Sequence, residues 1–208
     1  MDLTLAITGA SGTIYAYRTL KLLAASEKVE TINLIMSDVV PTVAQVELGV
    51  NLKNPDTSKI NEWLGLKKSS KKVRLWQLGN FAAKPSSGSY RQAGMIIVPC
   101  SMGSVGAIAS GAGTNLIHRV ADVTLKEGRR LVLVPRESPY SAIHLENLLR
   151  LANAGARILP ASPGFYHRPD TIEELVDHLC YRILDQFDLP HTTRTTWTGK
   201  ELKQNEDR

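Results

Sequence analysis

The sequence predicts an α/β fold built on an open parallel sheet, and three observations carry that expectation. Residues 95–98 (Met-Ile-Ile-Val) and 131–134 (Leu-Val-Leu-Val) are too short for stable helices and too apolar to face water. They read as strands buried on both faces. Each run meets a proline, Pro99 or Pro135, whose missing N–H predicts that the chain leaves the sheet there. The chain also opens with an apolar strand over 3–8, a Gly9-Ala10-Ser11-Gly12 turn and a helix over 13–25. Ligands of open α/β sheets bind beyond the strand carboxyl ends, so residues 100–104 and 136–137 fall on the ligand-binding rim.

Taken in order, the first turn predicts a phosphate-binding start. Glycine permits positive φ and close backbone approach, and a helix N-terminus favours an anion. The Thr-Gly-Ala-Ser-Gly string over 8–12 resembles the opening of short-chain dehydrogenases, but their further glycines are absent, and the Tyr17-x-x-x-Lys21 spacing falls inside this first helix. The second strand, 31–36, runs into Ser37-Asp38 without an acidic residue at its end to hold a ribose, so nothing selects a dinucleotide. Ser37 or Asp38 is expected to cap a helix over 39–48. Residues 49–72 read as a polar surface excursion with one short helix around 59–64, and 73–78 as a strand. Residues 80–94 have the composition of a lid, and equally of a disordered connector.

Residues 105–127 read as one helix, rich in Ala and Gly at first and then patterned Leu116, Ile117, Val120, Ala121, Val123, Thr124. Ser101 and Ser104 flank Gly103 ahead of its first turn, so hydroxyls and N–H groups converge on an anion site, although a plain Ser N-cap fits the same residues. A helix over 141–154 is expected to turn Ile143, Leu145, Leu148, Leu149 and Leu151 inward, followed by a strand over 156–159 and a third rim loop over 160–169. The last helix, 171–187, places Ile172, Leu175, Val176, Leu179, Ile183 and Phe187 at helical spacing. Arg182 lies about 20° from Leu175 on the wheel, at the edge of the apolar stripe, where it either snorkels or meets a partner.

At 208 residues and 43% hydrophobic content the chain predicts a single domain over 1–189 with a polar tail over 190–208. Trp197 in that tail is expected to dock on the body or on another subunit. No run reaches membrane-spanning length, and the first residues lack a basic start and cleavage site, so a cytoplasmic location is expected. Cys100 and Cys180 lack CxxC spacing and read as free thiols. The charge of +5 is scattered rather than gathered in a stripe, which argues against nucleic acid. No histidine has metal-ligand spacing: His144 and Glu146 stand at i, i+2 and point apart, so no metal site is expected.

A set of motifs then points to one family. Gly9-Ala-Ser-Gly12, Pro99-Cys-Ser-Met102, Asn115-Leu-Ile-x-Arg-x-Ala-Asp122, Leu125-Lys-Glu127, Leu131-Val-Leu-Val-Pro-Arg-Glu137, Ile143-His-Leu-Glu-Asn147 and Pro163-x-Phe-Tyr-His-Arg-Pro169 together resemble the UbiX/Pad flavin prenyltransferases. The resemblance spans about 3–189. It implies a three-layer, flavodoxin-like Rossmann fold with helices on both faces of the sheet, usually assembled as a dodecamer. It implies transfer of a dimethylallyl group from dimethylallyl phosphate to N5 and C6 of reduced FMN, giving prenylated FMN for a UbiD-type decarboxylase.

Residue by residue, the resemblance assigns FMN to Gly9, Ala10, Ser11, Ser37, Ser101, Met102, Gly103, Ser104 and Arg136. It assigns the dimethylallyl phosphate to Tyr166 and Arg182, with Lys126 and Arg119 as further basic groups. Glu137 matches the carboxylate that handles protons at the leaving phosphate, and Ser11, Arg119 and Lys126 join it as catalytic groups. His118 stands where the family has another polar residue, and Gly103 where it often has a different small or basic one. Arg, Lys and helix N-termini can stabilise a departing phosphate without magnesium. Two alternatives keep the fold: a flavin-dependent decarboxylase of the cysteine-decarboxylase type, whose catalytic His after the second strand is replaced here by Ser37-Asp38, and a non-catalytic flavin carrier.

Overall fold

The computed structural model describes residues 1–191; the expected docking of Trp197 and most of the 190–208 tail lie outside the described residues. The alternation anticipated from sequence is present. Strand β1 (Asp2–Ile7) leads through the glycine turn into α1 (Thr13–Ala25), then β2 (Thr31–Met36), α2 (Val40–Leu48), α3 (Thr57–Trp63) and β3 (Val73–Trp76). After one 3-10 turn (Lys84–Ser86) follow β4 (Gly94–Cys100), α4 (Met102–Ala109), α5 (Leu116–Lys126), β5 (Arg130–Pro135), α6 (Ala142–Asn153), β6 (Arg157–Ile158) and α7 (Ile172–Asp185).

All strand pairs are parallel, in the order β3-β2-β1-β4-β5-β6. This is the doubly wound Rossmann order, in which the crossovers reverse direction between β1 and β4 and open a crevice at their carboxyl ends. The strands bury both faces because neighbouring side chains alternate. Ile96, Val98, Val132 and Val134 join Leu20 of α1, Val40 of α2 and Leu179 and Ile183 of α7. Met95, Ile97, Leu131 and Leu133 join Val105 of α4, Val120 of α5 and Leu148 of α6 on the other face. Each fully buried Leu, Ile or Val stabilises the layer by about 1.5–3 kcal/mol.

Five expectations are corrected. Pro99 does not end its strand: β4 continues to Cys100, and a register irregularity between Ile97 and Cys100 absorbs the missing donor. The segment 105–127 is two helices, because Gly111 turns left-handed (φ 73°) and Asn115 caps a new start by accepting from the His118 N–H. Neither Ser37 nor Asp38 caps α2, whose N-cap is Val39 without a side-chain bond. On α6 only Leu148 and Leu151 are buried, while Ile143, Leu145 and Leu149 are exposed; Ile172 of α7 is exposed too.

Residues 80–94, finally, are not a loose connector. Tyr90 donates to Asp2, the Thr4 hydroxyl meets Gln92 at 2.5 Å, and the Arg129 guanidinium donates to the Gly88 and Tyr90 carbonyls at 2.6 and 2.8 Å.

Candidate functional site

The crevice between β1 and β4 is pinned by one side chain. The Thr8 hydroxyl donates to the Pro99 carbonyl at 2.8 Å and accepts from the Ser101 N–H at 2.7 Å, so the exits of β1 and β4 are held as a unit. Around them stand the residues expected there. Ser37 follows β2, its N–H bound to the Ile7 carbonyl. Arg136 follows β5 and donates through Nε to the Ser11 carbonyl at 3.0 Å. Strand exits thus set the 9–12 turn, Ser37, the 101–104 helix start and Arg136 along one rim.

Two helix starts meet here, and they differ. At α1 the Glu47 carboxylate accepts from the Gly12 N–H at 3.0 Å and the Thr13 N–H at 2.7 Å. Burial alone would raise the Glu47 pKa, but bonds from the Ser11 hydroxyl and from these two N–H groups outweigh it and hold the carboxyl below its usual value. The anion at the 9–12 turn in this structure is thus the protein's own, where the sequence leads one to expect a phosphate. Glu47 was missed from sequence, since it is a lone carboxylate at the end of α2, far along the chain from the turn it caps.

At α4 Ser101 is the N-cap, accepting from the Ser104 N–H at 3.3 Å, with the two hydroxyls 3.1 Å apart. Ser104 lies inside the first turn rather than ahead of it. A Cβ on Gly103 would meet nothing within 4 Å, so this helix start is open. The Ser37 hydroxyl oxygen is buried with no hydrogen-bond partner, an orphan that costs free energy unless a ligand satisfies it. Beside it lies a cleft of about 920 Å³ lined by Ser37, Asp38, Thr42, Gln45, Lys53 and Trp76.

Glu137 follows Arg136 and accepts from the Ser138 N–H at 3.2 Å. Close by, burial raises the Tyr140 phenol above its ordinary pKa, and the Glu137 carboxylate adds to the shift. Cys100, fully buried beneath, has its thiol pushed up to about 12 by burial and stays protonated; Cys180 is likewise a free buried thiol.

The four groups expected at a second phosphate separate into two layers within one chain. Tyr166 stands over α7, 2.9 Å from the His178 ring, and Arg182 on the same helix pairs with Asp185 at 2.7 Å. Arg119 and Lys126 ride α5, across the sheet. Arg119 donates to the Ser86 carbonyl at 3.3 Å and pairs with Asp122 at 3.1 Å, while Lys126 pairs with Glu127 at 3.0 Å. A small cavity of about 200 Å³ includes Arg119, Asp122 and His118. His118 is structural: it is buried, bound to the Thr114 hydroxyl at 2.9 Å, and burial lowers its pKa. No group of three or more His, Cys, Asp or Glu side chains placed for a metal occurs among the described residues, and no described helix is long and apolar enough to cross a membrane.

Sheet order and rim define a ligand-binding protein of the doubly wound α/β class, and the flavoprotein family model matches residues 1–184. A flavin prenyltransferase UbiX from Pseudomonas aeruginosa is 42% identical over 207 residues, covering 98% of this chain and 97% of the relative. The crystal structure of AnUbiX (PadA1) in complex with FMN and dimethylallyl pyrophosphate superposes with a TM-score of 0.80 at 40% identity, over 90% of this chain and 92% of that one. The dodecameric FMN-dependent UbiX-like decarboxylase from Escherichia coli O157:H7 gives 0.84 at 37% identity, over 96% and 100%. The chain belongs to the flavoprotein family and, within it, to the UbiX flavin prenyltransferases.

Proposed function

We propose that this chain joins the dimethylallyl group of dimethylallyl phosphate to N5 and C6 of reduced FMN, and that the prenylated FMN product serves a UbiD-type decarboxylase. The observation that carries the reading is the open half of the rim: an orphaned Ser37 hydroxyl at the exit of β2 and the uncovered α4 start at the exit of β4, on either side of β1, in a chain 42% identical to a flavin prenyltransferase. That donor set fits a flavin phosphate. It offers hydroxyls from Ser37, Ser101 and Ser104, N–H groups at Met102 and Gly103, and the Arg136 guanidinium, with Gly9, Ala10 and Ser11 forming the adjoining wall. Reduced FMN supplies the nucleophilic positions when bound.

The remaining work falls to the chain. The Tyr166 hydroxyl and the Arg182 guanidinium hold the donor phosphate, and Arg119 and Lys126 add positive charge where negative charge accumulates on the departing group. The Tyr166 ring steadies the allylic cation through its π face. Glu137 holds or delivers a proton at the leaving phosphate oxygen. Because α5 and α7 cover opposite faces of one sheet, Arg119 and Lys126 reach Tyr166 and Arg182 from a neighbouring copy, in a homo-oligomer like the dodecameric relative. The exposed Ile143, Leu145 and Leu149 are suited to such a contact. One domain over 1–189 and a cytoplasmic location complete the reading.

The test is to mix protein, reduced FMN and dimethylallyl phosphate or its pyrophosphate without oxygen and to weigh the flavin. Addition of one five-carbon unit is expected. Unchanged flavin mass with both donors would defeat the prenyltransferase reading and leave the flavin-carrier one.

A further inference from the structure

His178 has no part in the chemistry described so far, yet its two ring nitrogens are committed in a way that fixes its proton. The Gly164 N–H points at Nδ1 at 3.3 Å, so Nδ1 must be the bare, accepting nitrogen. The neutral ring then carries its proton on Nε2, which lies 2.9 Å from the Tyr166 hydroxyl oxygen. The imidazole is therefore the donor in that bond, and the phenol cannot spend its own proton on it.

Two surrounding features hold this arrangement. A Cβ at position 164 would stand 2.8 Å from Cε1 of Tyr166 and 3.4 Å from Cε1 of His178, so glycine is what lets loop, phenol and imidazole converge. The His167 ring stacks on His178 at 4.8 Å and 11°, fixing the plane of the imidazole. Burial first, then the neighbouring His167 and Arg182, lower the His178 pKa and favour the neutral ring that this pattern requires.

We propose that His178 is the positioning residue for Tyr166: its Nε2–H binds the phenolic oxygen and turns the Tyr166 O–H toward the phosphate of the prenyl donor. This rests on the reading of Tyr166 as a phosphate-holding group. A phenol whose oxygen already accepts a hydrogen bond is also the better donor, because bonds in a chain polarise one another.

The tautomer is tested first, by 15N NMR of the imidazoles in the full-length protein without flavin or donor, with His178 assigned by comparison with His178→Gln. A protonated Nε2 and a bare Nδ1 are expected; a protonated Nδ1 overturns the proposal even if prenyl transfer is intact. The kinetic arm uses His178→Phe, which keeps an aromatic ring there and removes both bonds. It should raise the KM for dimethylallyl phosphate about tenfold, the worth of one charge-assisted hydrogen bond, with FMN affinity unchanged.

In the Tyr166→Phe background the same substitution should add nothing, because the two residues act as a unit. An additive loss, or an unchanged KM, sinks the positioning role. His178→Gln, which retains an amide N–H near the Nε2 position, should recover most of the affinity, and it decides the question if the Phe variant does not fold. If the wild type shows the expected tautomer but adds no five-carbon unit, the prenyltransferase reading fails while the His178–Tyr166 bond stands.

Discussion

The starts of α1 and α4 are two versions of one device, a strand, a tight turn and a helix N-terminus, set side by side where the sheet reverses. At α1 the device is closed: Glu47 reaches over from α2 and takes the Gly12 and Thr13 N–H groups. At α4 it is open: Ser101 caps one N–H, nothing covers Gly103, and on the far side of β1, at the exit of β2, the Ser37 hydroxyl lacks a partner. A glycine-rich turn before a helix thus states that an anion belongs there, without saying whether the anion is a ligand or a side chain. The distinction lies in what a distant element supplies, and only the fold reveals it.

The largest expected effect breaks the open member. Gly103→Asp adds a carboxylate to a helix start with room for it, a place where negative charge favours the helix, so the apoprotein should melt no earlier than the wild type. Toward a flavin phosphate the same charge is repulsive. At about 4 Å, with partial screening, the loss in FMN affinity should be about a hundredfold, read by titrating flavin fluorescence. Unchanged affinity would place the phosphate elsewhere on the rim.

A smaller effect sharpens the contrast. The Ser37 hydroxyl is unsatisfied in the protein alone, so Ser37→Ala should leave apoprotein stability equal or higher while lowering FMN affinity about tenfold. Thermal melts with and without FMN separate the two. A destabilised apoprotein would mean that this hydroxyl already has a structural partner, and the open site would lose its best marker.

Much of this was legible in the sequence. The β1, β2 and β5 runs, the turn at 9–12 and the placing of Ser101 and Arg136 at strand exits follow from apolar runs and breakers, which are local signals; Ser37 was assigned to the site by the family resemblance alone. Three kinds of feature were not. Pro99 was read as a strand end because the sequence cannot show a register shift that tolerates it. The α4–α5 break was missed because Ala and Gly at 106–113 suit close helix packing as well as a helix end. The exposure of Ile143, Leu145 and Leu149 was missed because helical spacing gives an apolar stripe without telling whether this chain or another copy covers it. The site divided in the same way: the rim residues share one edge of one sheet, whereas Arg119 and Arg182 are on opposite faces, and no motif in a single chain records that separation.

The smallest effect tests the closed member. Glu47→Gln keeps the shape of the cap and removes its charge, so helix α1 should lose about 1 kcal/mol, a fall of about 2–4 °C in Tm for a chain of this length. The pH dependence identifies the cause. The Glu47 pKa is lowered in the folded protein relative to its ordinary value of 4.5, so the unfolded chain binds the proton more readily. Its contribution is therefore complete above about 4.5 and is lost as pH falls through the lower folded value. Melts of wild type and Glu47→Gln should run a constant distance apart from pH 6 to 8 and converge in acid, within the range where the protein stays folded. Curves that remain parallel into acid would show that the carboxylate charge contributes nothing at α1, and the two helix starts would then differ only in what covers them.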